Sequence, residues 1–165
     1  QAEINNIKGI KQKEKLLTVK CFGNFEVYLD GNPISFKYSK TKEMLAYLID
    51  RAGSSVTTEQ IAVALWEDRV YDRTLKNYVS TILGSLRKTL RQVGKEDILI
   101  KTHNHLSVDL DKIKCDAYDY EKGVVSAINS FRGEYMVNYS WAEFKTGVYV
   151  SMEQDHELPH RSSPK

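Results

Sequence analysis

Hydrophobic residues along this chain change their spacing several times, and each change marks a new element. Between Leu17 and Lys37 they come in short runs, LTVKCFG, FEVYLDG and PISFK, where β-branched or aromatic residues alternate with polar ones. A period of two predicts strands with one buried face. The cluster Asp30-Gly31-Asn32-Pro33 supplies turn chemistry between two of them, so a small antiparallel sheet is expected. From Ser39 the period lengthens. In KTKEMLAYLIDRA, residues Met44, Leu45, Leu48 and Ile49 form a stripe at helical spacing, with Ser39 as N-cap and Gly53 as the stop. A second helix, TEQIAVALWED, is capped by Thr57 or Thr58 and turns Ile61, Ala62, Leu65 and Trp66 inward. Counted from Thr58, neither Glu59 nor Gln60 is in capping-box register, so that boundary rests on threonine alone.

The third helix is the most regular. After a link from Asp68 to Asp72, the segment DRTLKNYVSTILGSLRKTLR sets Leu75, Val79, Ile82, Leu83, Leu86 and Leu90 at three- and four-residue intervals, one face marked for burial. It is expected to run to about Val93 and stop at Gly94. At about 100° per residue, the opposite face carries Arg73, Asn77, Thr81, Gly84, Lys88 and Arg91. Two short strands follow, ILIKT and LSVDL, joined through His103-Asn104-His105 as a hairpin. Residues 116–130 and 141–153 predict two further helices with a loop, 131–140, between them. The expected organisation is a linker over 1–15, a winged-helix domain over 16–110, a helical extension over 111–153 and a disordered tail over 154–165. The fold class is α+β, a winged helix-turn-helix with an N-terminal antiparallel sheet, three helices, a hairpin wing and a short helical C-terminal extension.

Charge sharpens this picture. The chain has 165 residues, is 41% hydrophobic and 28% charged, and carries a net charge of only +2. Yet Arg69, Arg73, Lys76, Arg87, Lys88 and Arg91 face only one acid, Asp72, within Arg69–Arg91. A helix with an apolar back and a small, polar, cationic front can pack on a protein core and face a polyanion. A solvated helix face also carries Lys and Arg for solubility alone, so the element order has to decide between the two.

Several classes find no support. No apolar run approaches the roughly 20 residues that cross a bilayer, so no membrane partner is expected, and two isolated cysteines fit a reducing cytoplasm, the expected location. There is no glycine-rich phosphate loop, no GxSxG elbow and no paired metal-ligand motif, so the chain reads as no enzyme, without catalytic residue, cofactor or metal. Asp109, Asp111, Asp116 and Asp119 are spread over different elements, with Asp116 a first-turn acid. His156 and His160 stand four apart beside Pro159 with no third ligand in orderly spacing. Cys21 and Cys115 have no CxxC spacing and read as reduced thiols rather than a bridge. The chain begins with Gln and a polar, charged stretch, which reads as a fragment joined to something upstream.

The order of elements and several words within them carry a resemblance. FGNFEV at 22–27 with its DGNPISF continuation, SKTKEMLAYL at 39–48, ALWED at 64–68 and LRKTL at 86–90 are similar to the OmpR/PhoB-type winged-helix DNA-binding domain. The similarity is stronger to its antibiotic-regulatory-protein branch, the SARP-like transcriptional regulators. CDAYDYEKG at 115–123 and FRGEYMVNYSWAEF at 131–144 resemble the start of the helical segment that follows the DNA-binding domain there. The resemblance covers roughly residues 17–150. It implies a sequence-specific DNA-binding transcriptional regulator, the output part of a two-component response regulator. Its partners would be double-stranded DNA, a second copy on DNA as a homodimer, an upstream receiver domain and RNA polymerase. The third helix would enter the major groove and the wing the neighbouring minor groove or phosphates.

Carried over residue by residue, Thr81 and Ser85 fall at base-reading positions, and Asn77, Gly84 and Arg87 near phosphate-contacting ones. With the basic residues of the same helix and the wing, the expected contact set is Arg73, Lys76, Asn77, Thr81, Ser85, Arg87, Lys88 and Lys101. Two departures stand out. Gly84-Ser85 occupy positions where the family commonly has arginine, and His103-Asn104-His105 replace a turn richer in Gly and Arg. They keep a second reading open, a winged helix that binds other proteins and has no significant DNA affinity. The aromatics of the extension, Tyr118, Tyr120, Phe131, Tyr135, Tyr139, Trp141, Phe144 and Tyr149, either dock on the winged helix or form a contact surface.

Overall fold

The computed structural model describes residues 15–162, with side chains through residue 155. Residues 1–14 of the expected linker, residues 163–165 of the expected tail, and the side chains of His156 and His160 lie outside the described residues.

The chain opens with strands β1 (Leu17–Lys20), β2 (Glu26–Leu29) and β3 (Asn32–Pro33). β1 and β2 pair antiparallel with Val19 opposite Val27, and β2 pairs antiparallel with β3. Asp30 and Gly31 connect β2 to β3 with φ of 54° and 79°, the left-handed pair that a two-residue hairpin requires. The third strand is shorter than PISFK suggested. Pro33 has no N–H to extend the ladder, and the chain leaves after the Ile34 N–H bonds the Val27 carbonyl at 2.9 Å. A fourth strand, β7 (Ile113–Cys115), lies parallel beside β1, with Leu17 opposite Ile113 and Val19 opposite Cys115. The sheet is therefore mixed, ordered β3-β2-β1-β7, rather than purely antiparallel. A parallel neighbour needs a long crossover, and everything between β3 and β7 provides it.

Helix α1 spans Ser39–Asp50, α2 Thr58–Leu65 and α3 Arg73–Gln92. Their ends differ from expectation in instructive ways. Ser39 is the first residue of α1; the cap position is Tyr38, extended, with no side-chain cap. Ala52, at φ 50°, takes the left-handed position after α1, ahead of Gly53. α2 does have a capping box, counted from Thr57: the Gln60 N–H bonds Thr57 Oγ1 at 3.1 Å and the Thr57 N–H bonds Gln60 Oε1 at 2.8 Å. α3 is capped by Asp72, whose carboxylate accepts from the Leu75 N–H at 2.9 Å. It ends in a Schellman motif, with Gly94 N–H on the Arg91 carbonyl and Lys95 N–H on the Leu90 carbonyl.

The wing is β5 (Leu99–Thr102) and β6 (His105–Val108), paired antiparallel with Thr102 opposite His105. β4 (Val56–Thr57) joins it, giving the order β4-β6-β5, so the segment that caps α2 also anchors the wing. All six expected apolar residues of α3 are buried, together with Thr89, in one core with Met44, Leu45, Leu48 and Ile49 of α1 and Ile61, Ala62 and Leu65 of α2. Trp66 is half-buried against that core.

The extension forms α4 (Asp116–Glu121), α5 (Val125–Ser130) and α6 (Glu143–Ser162). The single helix expected over 116–130 is broken at Gly123, φ 80°, where a second Schellman motif closes α4. α6 continues through residues 154–162, which the sequence reading placed in a tail. Phe22 meets the rings of Tyr120, Phe131 and Tyr149 edge-on at 4.9 to 5.6 Å, so it joins the sheet to the extension. No helix among the described residues is long and apolar enough to cross a membrane.

Candidate nucleic-acid interface

The outward side of α3 is set by its inward side. Burial of Leu75, Val79, Ile82, Leu83, Leu86 and Leu90 turns Arg73, Asn77, Thr81, Gly84 and Lys88 to solvent, and all five are exposed. Spaced four, four, three and four residues apart, they line a stripe about 22 Å long on a rise of 1.5 Å per residue. No Asp or Glu occurs between Arg73 and Gln92. Lys76 is exposed beside the stripe.

The remaining expected site residues sit differently. Ser85 is half-buried at the rim, and its Oγ accepts from Thr41 Oγ1 of α1 at 3.1 Å. It therefore ties α3 to α1 as much as it faces outward. Arg87 is half-buried and near Glu96, whose carboxyl is held below its ordinary range by its bond to Arg91, with Arg87 adding a smaller attraction. Arg91 is bound to Glu96 through Nε and Nη2, both at 2.9 Å. That fork neutralises the C-terminal end of the stripe and leaves its cationic character to Arg73, Lys76 and Lys88. Lys101 is exposed on β5 of the wing, apart from α3.

Gly84 is informative. A Cβ built there meets nothing within 4 Å, so nothing inside the protein requires a glycine in mid-helix. It costs stability relative to alanine and gives the front of α3 a flat spot where a partner surface can reach the backbone.

A second group of residues lies beside Thr81 and escaped the sequence reading. Lys37, Tyr38, Lys40, Trp66 and Tyr78 line an open groove that Thr81 shares. Lys40 Nζ sits over the Trp66 ring, and Arg69 over the Tyr78 ring at 5.0 Å. Lys37, Tyr38 and Lys40 come from the entry to α1, Trp66 and Arg69 from the end of α2 and the link after it, and Tyr78 from α3 beside the stripe, so no single periodicity betrays their shared face. Only the basic Arg69, already counted with the third helix, gave a hint.

The extension clamps α1 along its length. The hydroxyl of Tyr135 donates to Asp50 Oδ1 at 2.6 Å, Lys145 pairs with the same carboxylate at 3.2 Å, and Trp141 Nε1 donates to Glu43 Oε2 at 2.9 Å. Cys21 and Cys115 are buried thiols with their sulfurs 3.5 Å apart. Burial pushes the Cys21 thiol up. With Asp116 they form the compact group of potential metal ligands found among the described residues. The Asp116 carboxylate, however, accepts the backbone N–H groups of Cys21, Phe22 and Ala117, which accounts for its position.

Residues 34–107 match the family model for the C-terminal domain of transcriptional regulatory proteins. Among solved structures the fold is similar to Mycobacterium tuberculosis EmbR in complex with a low affinity phosphopeptide, with a TM-score of 0.66 and 19% sequence identity. That likeness covers 85% of this chain and 43% of that one, so the chain spans less than half of that relative's length. No curated protein matches the chain.

Proposed function

We propose, from a chain whose residues 34–107 match the model of transcriptional-regulator C-terminal domains, that α3 lies in the major groove and binds DNA sequence-specifically through its exposed stripe. The SARP-like order, winged helix followed by helical segment, is the order of this fold. The observation that carries the reading is the stripe itself: Arg73, Asn77, Thr81, Gly84 and Lys88 exposed in one line, with no acid along α3. A helix of this diameter fits the groove, where base edges are distinguishable. Thr81, central in the stripe, reads bases, and Asn77 bonds a phosphate. Arg73, Lys76 and Lys88 hold phosphates, and Arg87 and Ser85 contribute from the rim. Lys101 brings charge from the wing. The chain acts as the output part of a response regulator, with a receiver domain upstream, as a homodimer on repeated half-sites and in contact with RNA polymerase.

The test is a set of fluorescence anisotropy titrations on duplex fragments. Lys88→Ala and Arg73→Ala should each weaken binding to all sequences alike and reduce the salt slope by about one. Thr81→Ala should alter sequence preference instead. If Lys88→Ala changes neither affinity nor slope, the helix is oriented wrongly.

A second reading, a winged helix that binds protein, draws on the aromatic groove of Tyr38, Trp66 and Tyr78 and on the neutralised Arg91. It predicts no DNA binding even at low salt.

A further inference from the structure

The wing tip carries a group that the helix contact leaves unused. Asn104, at φ 61°, turns the chain tightly enough for the His105 ring to fold back on its own turn, with Nδ1 2.9 Å from the His103 carbonyl oxygen. A carbonyl oxygen only accepts, so Nδ1 carries the hydrogen. In the neutral ring the lone pair is then on Nε2. His105 is exposed and stands on the strand face opposite Leu106, which is buried.

DNA offers acceptors to such a tip: phosphate oxygens and, on the minor-groove floor of A·T pairs, adenine N3 and thymine O2. A neutral His105 would set acceptor against acceptor. Protonation makes Nε2 a donor and adds a positive charge, and it leaves the bond to His103 intact because both nitrogens of an imidazolium donate. We infer that His105 is a DNA-contacting residue of the wing and that it binds in its protonated form, so that DNA binding takes up a proton. This rests on the reading that the wing meets DNA.

The surroundings leave that charge to be met by the ligand. Across the ladder, His105 faces Thr102 on β5 and Thr57 on β4. The charged or titratable side chains beside it are Lys101 on β5, His103 in the turn and Glu59 in the first turn of α2, which β4 leads into; α1, which also packs on β6, carries Lys40, Lys42, Glu43, Tyr47 and Asp50. His103 contributes its carbonyl to the arrangement, so its own ring is not held toward the ligand by this bond.

The experiment measures the affinity of the whole chain for a labelled duplex between pH 8 and pH 6 at constant ionic strength. Affinity should rise several-fold toward pH 6, because binding takes up a proton. His105→Asn, which keeps a donor for the His103 carbonyl and loses Nε2, should flatten the profile. His103→Gln should leave it sloping. His105→Lys, charged throughout, should be flat and bind more tightly than the parent chain at pH 8. An unchanged slope in His105→Asn, a flat profile in the parent chain, or loss of the slope in His103→Gln overturns the assignment. DNA binding without pH dependence overturns it alone, whereas no binding at low salt at either pH overturns the DNA-binding reading with it. The site is an exposed turn, so an unchanged thermal transition confirms that each variant is folded.

Discussion

Single residues set the ends of the elements, and there the energetics can be checked one substitution at a time. Asp72 supplies the only side-chain bond to the first turn of α3 that its cap makes, so Asp72→Ala should cost about 1 kcal/mol in urea denaturation. Ala52 holds a left-handed conformation that costs a residue with a Cβ about 1–2 kcal/mol. Ala52→Gly should therefore raise stability by up to about 1 kcal/mol, measured the same way. The buried phenols give a pH prediction. Tyr118, Tyr135 and Tyr149 are all pushed far above the ordinary phenol range, chiefly by burial, with the nearby Asp50 carboxylate adding to it. An acid whose folded pKa is raised stabilises the fold fully below its unfolded value, near pH 10, and that contribution is lost as pH rises above it. Ultraviolet titration should show these three phenols silent until the fold itself melts in alkali. Ionisation of all ten tyrosines near pH 10 with the fold intact would contradict the packing.

At the scale of elements, legibility followed periodicity. The apolar stripe of α3 could be read in full because its burial is one-sided and long, with Thr89 the addition on that face, and the stripe of α1 was legible except for Ala46. What could not be read depended on distant partners. β7 is only three residues long and becomes a strand because β1 offers an edge beside it. The capping box of α2 was missed by one residue, since two adjacent threonines make Thr57 and Thr58 equal candidates until Gln60 selects the first. Thr41 was not foreseen in the core; it is buried because its hydroxyl has Ser85 to meet, and this removes Ser85 from a purely outward role. Gly84 belongs to this scale as well. Gly84→Ala should stabilise α3 by up to about 1 kcal/mol, since its new methyl meets nothing. Gly84→Leu should fold equally well and yet weaken DNA binding by obstructing the front of the helix.

The whole molecule joins three parts that the sequence presented one after another. β7 lies beyond the wing and belongs to the N-terminal sheet, and Phe22 of that sheet is enclosed by Tyr120, Phe131 and Tyr149 of the extension. A chain ending at residue 110 would strip a strand from the sheet and expose Phe22, so it should lose its near-ultraviolet circular dichroism and its cooperative melting. Phe144, at 85% exposure, is the large aromatic of the extension left outside this core. The fold thus holds α3 rigidly from behind and leaves its cationic front unobstructed. The most direct test of that front is the salt dependence of DNA affinity for the whole chain. The log of the binding constant against the log of salt concentration should fall with a slope on the order of −3 to −5, as expected for a handful of phosphates met by Arg73, Lys76, Arg87, Lys88 and Lys101. A slope near zero, or no binding at low salt, would contradict it.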